Sequence, residues 1–152
     1  MLGYCACQEI RYELTDTPLF VHACHCRWCQ RETGSAFAVN ALMETSNIEI
    51  LIGAPEPVAT PSASGKGQTI VRCQSCRTAV WSHYHGSGPK IGFVRVGTLD
   101  HPHDMKPDVH VFTASKRPWV NLANEKNVFE EYYDTAELWP EESKARRAAI
   151  SG

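Results

Sequence analysis

The sequence predicts an all-β, or β-dominated, domain on three observations: apolar residues alternate with period two, several short runs are rich in Val, Ile, Phe or Trp, and Gly, Pro or Asp stand at many of their borders. Ile10, Tyr12 and Leu14 alternate with Arg11 and Glu13, and Ile48, Ile50 and Ile52 alternate with Glu49 and Leu51, so each set reads as a half-buried strand. The segments 19–23, 35–42, 69–73, 79–83, 91–99 and 109–114 supply further strands. Two stretches read as loops: 53–67, with Pro55, Pro57, Pro61, Ser62, Ser64 and Gly65, and 83–90, with Gly86, Gly88 and Pro89. A helix is predicted only within 134–152, where Pro140 suits the first turn, Glu141 and Glu142 the positive end of the dipole, and Lys144, Arg146 and Arg147 the negative end. A frayed tail is the other reading of that segment.

A chain of 152 residues fits one domain, 1–152, that buries roughly two thirds of the surface its unfolded form exposes. With 43% hydrophobic and 21% charged residues and a formal charge of −2, the composition speaks against disorder and against a membrane-embedded form. Basic residues number 15 against 17 acidic ones, so the clustered cations a nucleic acid requires are missing. The start, Met1-Leu2-Gly3-Tyr4-Cys5, has neither the basic end nor the apolar core of a secretory signal, which predicts a cytoplasmic, reducing setting. Thiols stay reduced there and favour metals.

The seven cysteines form three tight groups, Cys5 and Cys7, then Cys24, Cys26 and Cys29, then Cys73 and Cys76. This arithmetic predicts two zinc ions. A structural zinc takes four tetrahedral ligands, so the first and last pairs complete one closed site across about 65 residues of chain. A redox role for Cys73 and Cys76 would need a thioredoxin-like strand and helix around them, a pattern the sequence lacks. The trio packs three thiols into six residues and leaves one metal position open for chemistry. Two alternatives stand beside that reading: a closed site with His25 or a histidine of 83–85 as fourth ligand, and three merely buried thiols. Three thiolates around a divalent ion sum to one net negative charge, which blunts the ion as a Lewis acid and favours holding a substrate thiolate over making hydroxide. Arg27, Arg31 and Lys66 are candidates to meet a substrate carboxylate, and Ser35 or His85 to hydrogen-bond a substrate oxygen.

With those motifs placed, the chain resembles the glutathione-dependent formaldehyde-activating family, the domain shared by centromere protein V, over about 4–119. The resemblance rests on C-x-C before the strand at 10–14, CHCRWCQRETGSAFAV at 24–39, Ser-x-Ser-Gly at 62–65, C-x-x-C at Cys73, VGTLD at 96–100, and Pro107, His110 and Trp119 at their spacing. It implies several small coiled antiparallel sheets, similar to the zinc-binding chaperone of Rab guanine-nucleotide exchange, with a structural zinc on Cys5, Cys7, Cys73 and Cys76 and a catalytic zinc on Cys24, Cys26 and Cys29. It also implies a carbon-sulfur lyase of the S-(hydroxymethyl)glutathione synthase type, with glutathione and formaldehyde as partners. Where the family usually has Gly after each structural pair, this chain has Gln8 and Arg77, which predicts knuckles that turn differently. The competing reading is a non-catalytic, zinc-stabilised interaction module presenting Trp28, Trp119 or Trp139.

Overall fold

A computed structural model describes residues 1–151. Among the described residues, ten strands gather in two sheets. Strands β1 (Leu2–Tyr4), β2 (Arg11–Leu14) and β5 (Ile48–Ile52) form the smaller sheet, in the order β1-β2-β5. The larger one runs β10-β3-β4-β9-β8-β7-β6, from β3 (Phe20–Cys24), β4 (Ala38–Glu44), β6 (Glu56–Thr60), β7 (Gln68–Arg72), β8 (Ala79–Tyr84), β9 (Ile91–Arg95) and β10 (Val109–Val111). All pairings are antiparallel except β10 on β3, which is parallel. Helix α1 (Arg27–Thr33) follows β3, and α2 (Thr135–Leu138) and α3 (Glu141–Ser151) close the chain.

The larger sheet is covered on both faces. Tyr12, Leu14 and Ile48 of the small sheet pack with Val21, Ala41, Met43, Val80 and Val94 of the large one. On the opposite face Phe20, Leu42, Phe93 and Val111 pack with Tyr133 and Trp139 from the C-terminal segment. Successive strand residues point to opposite faces, so Phe20–Cys24, buried on both, is apolar apart from His22.

Several sequence expectations change here. Segment 91–99 stops as a strand at Arg95 and continues as a 3₁₀ turn, and segment 109–114 stops at Val111 because Phe112 adopts a left-handed backbone, φ 55°. The expected loop 53–67 contains β6, which accepts Pro57 because it is the sheet edge, where a missing N–H breaks no ladder. Helix α1 was not expected. Seven residues are too few to show a helical period, and its signals are local: Cys26 Sγ accepts from the Cys29 N–H, and Gly34, φ 65°, ends it in the left-handed region.

The C-terminal segment is a docked helix, not a frayed tail. Arg146 of α3 donates from Nε and Nη2 to the two carboxylate oxygens of Glu44 at 2.8 and 2.7 Å, and Glu44 on β4 is buried. Two parallel charge-assisted bonds compensate a carboxylate that burial would otherwise disfavour.

The two cysteine pairs join the sheets. Cys5 and Cys7 follow β1, Cys73 and Cys76 lie between β7 and β8, and the four sulfurs fall within 4.8 Å of one another. Cys7 Sγ is 3.5 Å from Cys5 Sγ and 3.6 Å from Cys73 Sγ. A tetrahedral zinc with bonds of about 2.3 Å needs edges of about 3.8 Å, so the donor set fits the metal. The knuckles keep the geometry that glycine would give. Gln8 and Arg77 both take left-handed backbones, φ 62° and 61°, and their N–H groups return to the carbonyls of Cys5 and Cys73 at 2.9 and 3.1 Å. The substitutions therefore leave the turn unchanged and add strain of roughly 1–2 kcal/mol each.

Two outcomes are expected in urea unfolding of the metal-bound protein. Arg146→Ala, which strands the Glu44 carboxylate, should lower stability by about 2–3 kcal/mol, and Arg146→Met with Glu44→Met should recover most of it. Gln8→Gly and Arg77→Gly should each raise stability by roughly 0.5–1 kcal/mol, the relieved strain less the added chain freedom of glycine.

Candidate metal and thiol site

Cys24 ends β3, the chain turns through His25, and Cys26 and Cys29 begin α1 one helical turn apart. This brings the three sulfurs within 4.8 Å of one another, and among the described residues no histidine nitrogen or carboxylate oxygen joins them. Cys24 and Cys29 are buried while Cys26 is half-buried, so the group opens on one side. Hydrogen bonds from the Cys24 and Cys29 thiols, helped by the Cys29 and Trp28 N–H groups, hold Cys26 well below the ordinary thiol range. The same bond to Cys26 and burial push Cys24 up. A second set of three soft donors is one that could hold zinc.

The open side faces a cavity of about 420 Å³. Its floor is the face of the large sheet that carries Cys24, and therefore His22 two residues earlier. His22 pairs with Asn40 across β3 and β4, and Asn40 pairs with Arg95 across β4 and β9, so three polar side chains lie in one row. Arg95 donates to Asn40 Oδ1 and, at 2.9 Å, to Ser82 Oγ. With its oxygen so engaged, Asn40 offers its amide N–H group to the cavity it lines. Tyr133 Oη accepts from Trp139 Nε1 at 2.7 Å and shares a hydrogen bond with His22 Nε2 at 2.6 Å, which leaves Nδ1 as the His22 ring nitrogen not engaged by Tyr133. Burial depresses His22 to about 3, so the ring is a neutral donor at neutral pH.

Aromatic rings form the wall. Tyr84 meets Phe93 edge to face at 4.8 Å, and Phe112 lies 6.0 Å from Tyr132. Trp28 lines the same space with an indole N–H that is buried and has no partner in the protein. The rim is built from two turns, where Ser62 Oγ accepts from the Gly67 N–H at 3.0 Å and His85 Nδ1 donates to the Lys66 carbonyl at 3.0 Å. That bond ties the β6–β7 turn to the β8–β9 turn.

The sequence candidates divide. Lys66 lines the cavity, whereas Arg27, Arg31, Ser35 and His85 do not. Arg27 is turned to the Gln30 side-chain oxygen, 2.5 Å away. The proposed fourth ligands do not join the sulfurs: His25 Nε2 shares a hydrogen bond with His110 Nδ1 at 3.0 Å while its Nδ1 is buried without a partner, and His83 Nδ1 donates to the Ile91 carbonyl at 2.9 Å. Of the three tryptophans expected on a partner surface, Trp28 lines the cavity and Trp139 is 3% exposed, while Trp119 is 75% exposed. The sequence reading missed His22, Asn40, Tyr84, Tyr132 and Tyr133. One signal was available for the first: His22 is two residues from Cys24 on the same strand, hence on the same face.

A model of the glutathione-dependent formaldehyde-activating enzyme family matches residues 1–115, a span that holds all seven cysteines. No curated protein matches the sequence. A crystal structure of a Rhodobacter sphaeroides protein is similar at a TM-score of 0.51 and 18% identity, over 85% of this chain and 99% of that one. That likeness speaks for the fold alone. The matched span carries both cysteine groups, and half of the chain is well exceeded, so this protein belongs to the glutathione-dependent formaldehyde-activating enzyme family.

Proposed function

We propose that the protein is a cytoplasmic, zinc-dependent carbon-sulfur lyase that joins a thiol, best represented by glutathione, to a small aldehyde and also runs the reverse reaction. The observation that carries this reading is the open side of the Cys24, Cys26 and Cys29 trio, which faces a cavity lined by the neutral side chains of His22 and Asn40. A metal held by the three sulfurs would supply the Lewis acidity that keeps a fourth, substrate thiol ionised at neutral pH.

The remaining work falls to the chain's own groups. In the forward direction a sulfur-carbon bond forms, the carbonyl double bond opens, and the thiol proton ends on the oxygen. His22 Nδ1–H and Asn40 Nδ2–H are the donors for that oxygen, whose charge grows as the bond forms. Both are held before substrate arrives, His22 by Tyr133 and Asn40 by Arg95, so little reorganisation is left for the reaction. Lys66 at the rim suits a carboxylate of the thiol. Cys5, Cys7, Cys73 and Cys76 are read as a structural zinc site, because that set is complete with four sulfurs.

Exchange spectroscopy by NMR on glutathione and formaldehyde measures turnover above the spontaneous reaction. Cys26→Ser should abolish the added rate while leaving the circular dichroism spectrum unchanged. Asn40→Ala should lower kcat about 100-fold with little change in KM, the effect of losing one donor to a developing oxyanion. A Cys26→Ser protein that turns over normally, or that unfolds, would remove the trio from catalysis.

A further inference from the structure

We propose that the cavity selects an adduct whose aldehyde half is aromatic, or apolar and of similar bulk, rather than formaldehyde. The proposal rests on the thiol-adduct reading above and names the substrate class for that site. Formaldehyde brings one carbon and two hydrogens, and it needs no apolar wall. Here a space of about 420 Å³ is walled by Trp28, Tyr84, Phe93, Phe112 and Tyr132.

One of those rings is placed by unusual means. Phe112 holds a left-handed backbone, φ 55° and ψ 39°, a conformation that a bulky residue keeps only when its surroundings enforce it. The enforcing bonds are present: the Phe112 N–H donates to the Glu131 carbonyl at 2.8 Å, and the Phe112 carbonyl accepts from Ser115 Oγ at 3.2 Å. Phe112 is thereby tied to the segment that carries Tyr132. Tyr132 lies beyond residue 115, outside the span that the family model matches. Part of the wall is therefore contributed by this chain beyond the family's matched span.

Charge points the same way. Apart from the cysteine trio, Lys66 is the one charged side chain among the described residues lining the cavity, and it sits at the rim. Glutathione carries two carboxylates and an ammonium group, so its polar body suits the rim and the solvent beyond. With the sulfur at the trio and the oxygen at His22 and Asn40, the aldehyde substituent is left to the rings. The chemistry is unchanged: RSH and R′CHO give RS–CH(OH)–R′, with one sulfur-carbon bond made, one carbonyl π bond opened, and the thiol proton moved to oxygen.

The test compares S-benzylglutathione with S-methylglutathione for binding to the metal-bound protein by calorimetry, and benzaldehyde with formaldehyde for glutathione exchange by NMR. Burying a ring-sized apolar group predicts roughly 10-fold to 100-fold tighter binding of the benzyl compound, and a similar preference in kcat/KM for benzaldehyde. Tyr132→Ala and Phe112→Gly should narrow that gap with the methyl compound's affinity little changed. Equal binding of the two thioethers, with formaldehyde the better substrate, would overturn the aromatic assignment and leave the lyase reading standing. Failure of both thioethers to bind, with neither aldehyde accelerated, would overturn both. The ligand comparison is made on the unaltered protein, so a variant that misfolds leaves it decisive.

Discussion

Four thiols must share one small volume for the two sheets to meet, and most of the architecture follows from that demand. Cys5 and Cys73 are fully buried, and their sulfurs crowd with those of Cys7 and Cys76 within 4.8 Å. Four ionised sulfurs at such distances would repel unless a cation lay among them, so a metal bound there would couple its own binding to folding. Closing a loop of about 65 residues costs the chain roughly 4 kcal/mol of entropy, and a structural zinc contributes on the order of 10 kcal/mol against it. That margin is comparable with the whole net stability of an ordinary domain. A metal held there would also keep Gln8 and Arg77 in their left-handed backbones, because the knuckle would fix the turn whatever the residue type.

Once the small sheet covers one face of the large sheet, the other face is free to carry the second thiol group. The positions there follow from pleat and register. His22 and Cys24 share a face because they are two apart, Asn40 joins them because it pairs with His22, and Arg95 joins Asn40 in turn. Polar side chains in such a row would be costly in a core, yet each has a partner: Tyr133 for His22, Arg95 for Asn40, Ser82 for Arg95. The partners fix which atoms remain to face the cavity. The row lies beside sulfur on one side and aromatic rings on the other, an arrangement suited to a reaction in which sulfur attacks a carbonyl carbon.

Much of this was legible in the chain, because the signals were local. Alternation at Ile10–Leu14 and Ile48–Ile52 gave strands, and cysteine spacing gave the two groups that the fold assembles. What escaped is what depends on contacts distant in sequence or on elements too short to have a period. Helix α1 is built by two caps, β1 has three residues, and β6 is a strand only because an edge tolerates Pro57. Asn40 sits in an apolar run, Ala-Val-Asn-Ala-Leu, where its role depends on Arg95 fifty-five positions away. Tyr132 and Tyr133 belong to an irregular segment whose purpose appears only after it has folded back over β10.

The central claim is that the two cysteine groups differ in kind, one closed and one open to a thiol. Zinc K-edge X-ray absorption on the metal-bound protein, before and after glutathione, tests it most directly. The account predicts two ions per chain, one with four sulfur neighbours that glutathione leaves unchanged and one with three that gains a fourth. Two ions with complete protein coordination, or a second ion indifferent to glutathione, would contradict it.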